Sequence, residues 1–144
     1  MGTKSLIRSK VVINVESSYE KNKKSYIFSN ENFEGKSVLG PNNKYYLIYE
    51  STEENKNNLN VLKYEPRKIT HIKYGNVESK FVFELNRWTK CYCYIKGGFV
   101  GINCFTEALK AQVENNSARF NIRYKLYVAN SSIGTYNLNV AYQI

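Results

Sequence analysis

From Phe120 to Val128 apolar and polar side chains alternate without interruption. Phe120, Ile122, Tyr124, Leu126 and Val128 fall on one parity, and Asn121, Arg123, Lys125 and Tyr127 on the other. Period-two alternation puts each set on one face of a sheet, so the segment predicts a half-buried strand roughly 30 Å long at about 3.3 Å per residue. The pattern returns in Tyr136, Leu138, Val140, Tyr142 and Ile144. Joined by a loop over 129–135, the two segments predict an antiparallel pair whose apolar face the rest of the chain must cover.

Upstream, strands are expected at 5–17, with Ile7, Val11, Ile13 and Val15 on one face, and at 25–33, 44–50, 58–64, 68–73 and 78–85. Loops are expected at 18–24 and 51–57, and Gly35 is expected to mark a bulge or bend. Gly40-Pro41-Asn42-Asn43, Glu65-Pro66 and Gly75-Asn76 supply turn chemistry. Gly97-Gly98 suits a two-residue type I′ turn, a register that pairs Cys91 with Cys104, Cys93 with Ile102 and Ile95 with Val100. A helix competes over 106–118, where Thr106 could cap and Glu107-Ala108-Leu109-Lys110-Ala111 are good helix formers. Leu109, Ala111 and Val113 nevertheless keep period two, and Glu114-Asn115-Asn116-Ser117 reads as a hairpin tip, so a strand is expected. Short strands with turn signals between them predict an all-β sandwich or barrel, one domain spanning 1–144.

Composition changes this picture little. A run of apolar residues long enough for a signal peptide or a membrane span is missing, so the expected setting is the cytoplasm, with no membrane partner. The net charge of +9 points toward nucleic acid or an acidic protein as partner. Asn, Lys, Tyr and Ile abound together, as an AT-biased coding sequence would produce, and most lysines fall singly along strands or in loops. A solvated surface is therefore the simpler reading of the charge, with the basic interaction module as the alternative.

Cys91, Cys93 and Cys104, with His71, invite a metal reading. Cys-x-Cys on one strand face is not the usual knuckle spacing, and cysteine commonly serves as a small core residue, so no metal and no cofactor are expected. An odd number of thiols in a reducing compartment argues against a disulfide. No paired nucleophile and base, and no phosphate-cradling glycine loop, stand at recognisable spacing, so the chain is not expected to be an enzyme.

Several segments together carry a family resemblance: Lys44-Tyr45-Tyr46-Leu47-Ile48-Tyr49-Glu50; Lys73 two before Gly75; Tyr92 five before Gly97; Thr106; Ile122-Arg123-Tyr124; and Leu138-Asn139-Val140. In their order and spacing the chain resembles the YwiB-like family of uncharacterised bacterial β-barrel proteins. The resemblance implies a single antiparallel calycin-like, or lipocalin-like, barrel of about eight strands in meander order. It implies no reaction, since the family has no established activity. Lys73 stands where the family usually has Arg, which exchanges a planar fork for a point charge, and Gly98 looks like an added residue.

A barrel of about eight strands is either plugged by side chains or just wide enough to hold one small ligand. Inward tyrosines would give aromatic walls with hydroxyl handles, with Tyr26, Tyr46, Tyr92, Tyr124 and Tyr142 as candidates. Lys73 or Arg123 near a mouth would hold a carboxylate or phosphate. The expected ligand-binding set is therefore Tyr46, Lys73, Tyr92, Arg123 and Tyr124, around a small apolar or anionic ligand. The assembly is expected to be a monomer, or a homodimer paired through an edge strand.

Overall fold

In the computed structural model, which describes residues 7–41, 44–53, 56–75, 77–95 and 98–143, the alternating segments are strands. In chain order they are β1 (Ile7–Lys21), β2 (Lys24–Leu39), β3 (Tyr45–Glu53), β4 (Lys56–Glu65), β5 (Lys68–Gly75), β6 (Glu78–Glu84), β7 (Trp88–Ile95), β8 (Gly98–Val113), β9 (Ser117–Val128) and β10 (Ser131–Gln143). Each pairs antiparallel with its chain neighbour, and β10 returns to β1 from Ile13–Tyr142 to Glu20–Thr135, closing a meander barrel. Ten strands are described where about eight were expected. Every alternating segment, 25–33 included, is a full stave of the wall. No helix among the described residues is long and apolar enough to cross a membrane.

Two expected loops shrink to tight turns. Asn22-Lys23 and Ala129-Asn130 take positive φ (53°, 63°, 49° and 66°), a left-handed pair whose twist matches the flanking strands and lets them run on. The expected loop at 51–57 is likewise largely strand, through Glu53 in β3 and from Lys56 in β4. These segments read as loops because their residues are polar, a property that also suits strand ends near a barrel mouth. Asn42-Asn43, Asn76, Gly97 and Ile144 lie outside the described residues.

Gly35 is not a bulge. A Cβ there would stand 2.4 Å from the Ile48 carbonyl oxygen and 2.7 Å from Ile13 Cδ1, so glycine is needed for close approach between β2, β3 and the core. The bulges lie elsewhere. The β1–β2 register shifts at Ser17/Ser18, leaving Phe28 without a partner, and the β9–β10 register shifts between Ser132 and Gly134 around Ile133.

The β7–β8 register is displaced by two residues from the expected one: Cys91 faces Ile102, Cys93 faces Val100, and Cys104 faces Thr89. Two residues is one full side-chain period, so the faces survive and the partners change. Cys91, Cys93 and Cys104 are free thiols. The segment from Thr106 to Val113 is strand, paired with β9.

At the end where β3 begins and β10 finishes, the interior is filled. Ile13, Leu47, Ile69, Phe120, Ile122 and Val140 are fully buried. Tyr45 and Tyr142 join hydroxyl to hydroxyl across this plug. Burial and that bond push the Tyr45 phenol well above its ordinary range, keeping it neutral.

Candidate functional site

In the opposite half of the barrel interior the wall formed by β4, β5 and β6 is polar. On β4 the parity that carries buried Leu62 also carries Asn58 and Asn60, each 1% exposed. Across the ladders Asn60 sits beside Lys73 of β5, and Lys73 beside buried Ser79 of β6. His71, one inward step along β5, faces Leu62 and Phe81. Strand alternation thus gathers two amides, an imidazole, an ammonium and a hydroxyl on the inner wall at one end.

Their hydrogen bonds fix much of the chemistry. Asn60 Nδ2 donates to Ser51 Oγ at 2.7 Å, leaving its Oδ1 to accept from His71 Nε2 at 3.0 Å. That assigns the proton to Nε2 and leaves Nδ1 as a lone-pair acceptor. Burial, reinforced by the Lys73 charge, pulls the His71 pKa from 6.5 down to about 4, so the ring is neutral at pH 7. Asn58 Oδ1 accepts the Val77 N–H at 3.1 Å, but its buried Nδ2 has no partner among the described residues. An unmade buried hydrogen bond of this kind costs roughly 1–3 kcal/mol.

Aromatic rings face this polar wall. Tyr124 of β9 stacks on Tyr136 of β10 at 5.8 Å and tilts against Phe83 at 4.8 Å. Burial holds the Tyr124 phenol well above the usual tyrosine range. Phe33, His71, Lys73, Phe81, Tyr124 and Tyr136 all point inward yet keep partial solvent accessibility. An inward side chain keeps such area only where the barrel holds space or opens at its mouth.

The wall forks between β2 and β3. β2 pairs with β3 over Gly35–Leu39 and Tyr45–Tyr49, and beyond Gly35 no ladder joins them among the described residues. Inside the fork Phe33 stacks on Tyr49 at 4.9 Å. Outside it lies a groove of about 700 Å³ lined by Lys10, Val12, Glu34, Lys36, Ile48 and Leu59, with Gly35 and Tyr49 at its floor.

Of the residues the sequence singled out, Lys73 and Tyr124 lie on the inward face of the wall. Three others do not. Tyr46 is on the outward parity beside buried Tyr45, because both parities of that strand are bulky and alternation alone does not choose between them. Tyr92 stacks on Phe99 on the outer face of β7. Arg123 also points outward, where its guanidinium donates twice to Glu20, both at 2.8 Å, so it ties β9 to β1 across β10. Asn137 and Arg123 together hold the Glu20 carboxyl below its ordinary pKa. Tyr142 lies in the plug, and Tyr26 stacks on Tyr19 at 5.4 Å on the β1–β2 hairpin. Sequence patterning missed Asn58, Asn60 and Ser79. Their signal was available, since polar residues on the same parity as Leu62 or Phe83 are polar residues aimed at a core.

Among the described residues no group of three His, Cys, Asp or Glu could hold a metal. Cys91 has another task. The β6–β7 ladder stops at Lys80–Tyr92, and beyond it the Val82 N–H donates to Cys91 Sγ at 3.4 Å while the Thr89 hydroxyl donates to the Val82 carbonyl. Two inward side chains thus replace the missing backbone partners.

Residues 13–140 match a domain of unknown function, DUF1934. The chain belongs to the DUF1934 family. The DUF1934 barrel is also similar to the crystal structure of the ywiB protein from Bacillus subtilis, with a TM-score of 0.83, 16% identity, and coverage of 94% of this chain and 92% of that one. At that identity the likeness establishes a shared closed β-barrel fold. No curated protein matches this DUF1934 chain.

Proposed function

We propose that the barrel is a non-enzymatic small-molecule-binding protein. Its ligand is partly apolar, carries a negative group, and sits in the chamber between the Asn58–Asn60–His71–Lys73 wall and the Tyr124–Tyr136 rings. The observation that carries this reading is the unpartnered Asn58 Nδ2, fully buried on the inner wall. A core selected for stability alone would put an apolar side chain there, whereas a binding site needs a donor waiting for an acceptor. Lys73 supplies the charge for a carboxylate or phosphate, and the rings supply apolar area. Neutral His71, held by Asn60, suits a hydrogen-bonding wall rather than a proton shuttle at pH 7. We place the protein in the cytoplasm, where its three thiols stay reduced.

Native mass spectrometry of the purified protein tests this. The expected result is an adduct that denaturation releases and that Asn58→Leu and Tyr124→Ala both reduce. A bare protein mass, with Asn58→Leu more stable than the parent, would sink the reading, because the asparagine would then be an uncompensated cost in a filled core.

A further inference from the structure

The outer face of β7 and β8 carries a second organisation that points away from the chamber. On β7 the outward residues are Trp88, Lys90, Tyr92 and Tyr94, and opposite them on β8 stand Phe105, Asn103, Gly101 and Phe99. Trp88, Phe99 and Tyr94 are 58%, 57% and 49% exposed. The rings form two groups. Trp88 contacts Phe105 at 5.2 Å and Tyr127 at 5.1 Å; Tyr94 contacts Phe99 at 5.0 Å, and Tyr92 stacks on Phe99 at 5.9 Å. Trp88 and Tyr92 are about 13 Å apart along the strand, with Lys90 and Asn103 between the groups.

Large rings on the outside of a barrel wall cost solubility and contribute nothing to the core, so an exposed cluster marks a contact surface. The charges choose the occupant. Lys80, beside Tyr92 on β6, and Lys90 make no ion pair among the described residues. Glu84 is paired with Arg87 at 3.5 Å and Glu107 with Lys125 at 3.9 Å, while Glu78 stands opposite Tyr94. Lysines set singly between rings are unlike a self-association core, from which charge is depleted. They match a polyanion whose flat groups stack on the rings while its phosphates meet the ammonium groups. The net charge of +9 favours such a partner over the whole molecule.

We infer that the outer face of β7 and β8 binds single-stranded nucleic acid, with Trp88, Tyr92, Tyr94 and Phe99 stacking on unpaired bases and Lys80 and Lys90 contacting phosphates. A duplex hides its base faces, so selectivity for single strands is part of the inference.

Trp88 is the chain's sole tryptophan, so its own fluorescence reports occupancy without a label. The full chain is titrated with a thymidine oligonucleotide of about a dozen residues, a length within the usual span of such sites. Saturable quenching is expected. Affinity should fall roughly sevenfold between about 50 and 200 mM salt if two phosphates are engaged. Tyr94→Ala and Phe99→Ala should each weaken binding roughly tenfold with unchanged circular dichroism. The Lys80→Glu/Lys90→Glu double variant should weaken it and flatten the salt dependence. No quenching at low salt overturns the inference, as does equal affinity for a duplex or indifference to Tyr94→Ala and Phe99→Ala. Concentration-dependent dimerisation abolished by Phe99→Ala, without nucleotide binding, would instead assign the face to a second copy of the chain and overturn it too.

Discussion

His71 is a histidine whose surroundings oppose its charged form. Its folded pKa of about 4 lies below the unfolded value of 6.5, so between those values the unfolded chain binds more protons than the folded one. Stability is complete above pH 6.5 and declines as pH falls toward 4. The loss amounts to something on the order of 3 kcal/mol, since each pH step between the two values removes about 1.4 kcal/mol. Glu20 also loses stabilising interactions on acidification, but its window opens below the ordinary carboxylate value of 4.5. Chemical denaturation between pH 4.5 and 6.5 therefore isolates the histidine, and His71→Gln should flatten the slope there. An unchanged slope would show that folding leaves the affinity of the ring for its proton unaltered. Beside it, the parity that Asn58 and Asn60 share with Leu62 was legible as a face and not as a site. Nothing in one sequence says which end of a strand meets the plug and which meets the mouth.

At the level of elements, period-two patterning located every strand. It gave the faces of β7 and β8 correctly although the register is shifted by two residues. It did not choose the inner face where both parities are bulky, as in Tyr45 and Tyr46. Nor did it reveal that Gly35 answers a close approach from β3, the strand paired beside it. Gly35→Ala should cost about 1–3 kcal/mol or more by overpacking against the Ile48 carbonyl, measured as a lowered denaturation midpoint with unchanged slope. At the β6–β7 seam, Thr89→Val removes the hydroxyl that serves the Val82 carbonyl and should cost about 1–2 kcal/mol, whereas Thr89→Ser should keep most of that stability. Equal losses from both would show that the methyl group, rather than the hydroxyl, matters there.

For the whole molecule, all chain-neighbour ladders are local, and the β1–β10 seam is the one that joins distant parts of the sequence. On its outer side the seam is laced by Arg123, Asn137 and Glu20 and by Asn121, Asn139 and Glu16. These are polar residues that read in sequence as a solvated face. The fork between β2 and β3 has a different character, because there the wall is held by two rings and no backbone ladder. Such a wall can breathe at this slit while β8, β9 and β10 stay zipped to one another. Hydrogen–deuterium exchange should accordingly show the amides of 50–53 and the free edge of β2 trading with solvent long before those of β9. Any molecule entering sideways would leave its kinetic imprint there, as slower exchange on loading and faster release when Phe33 is replaced by alanine.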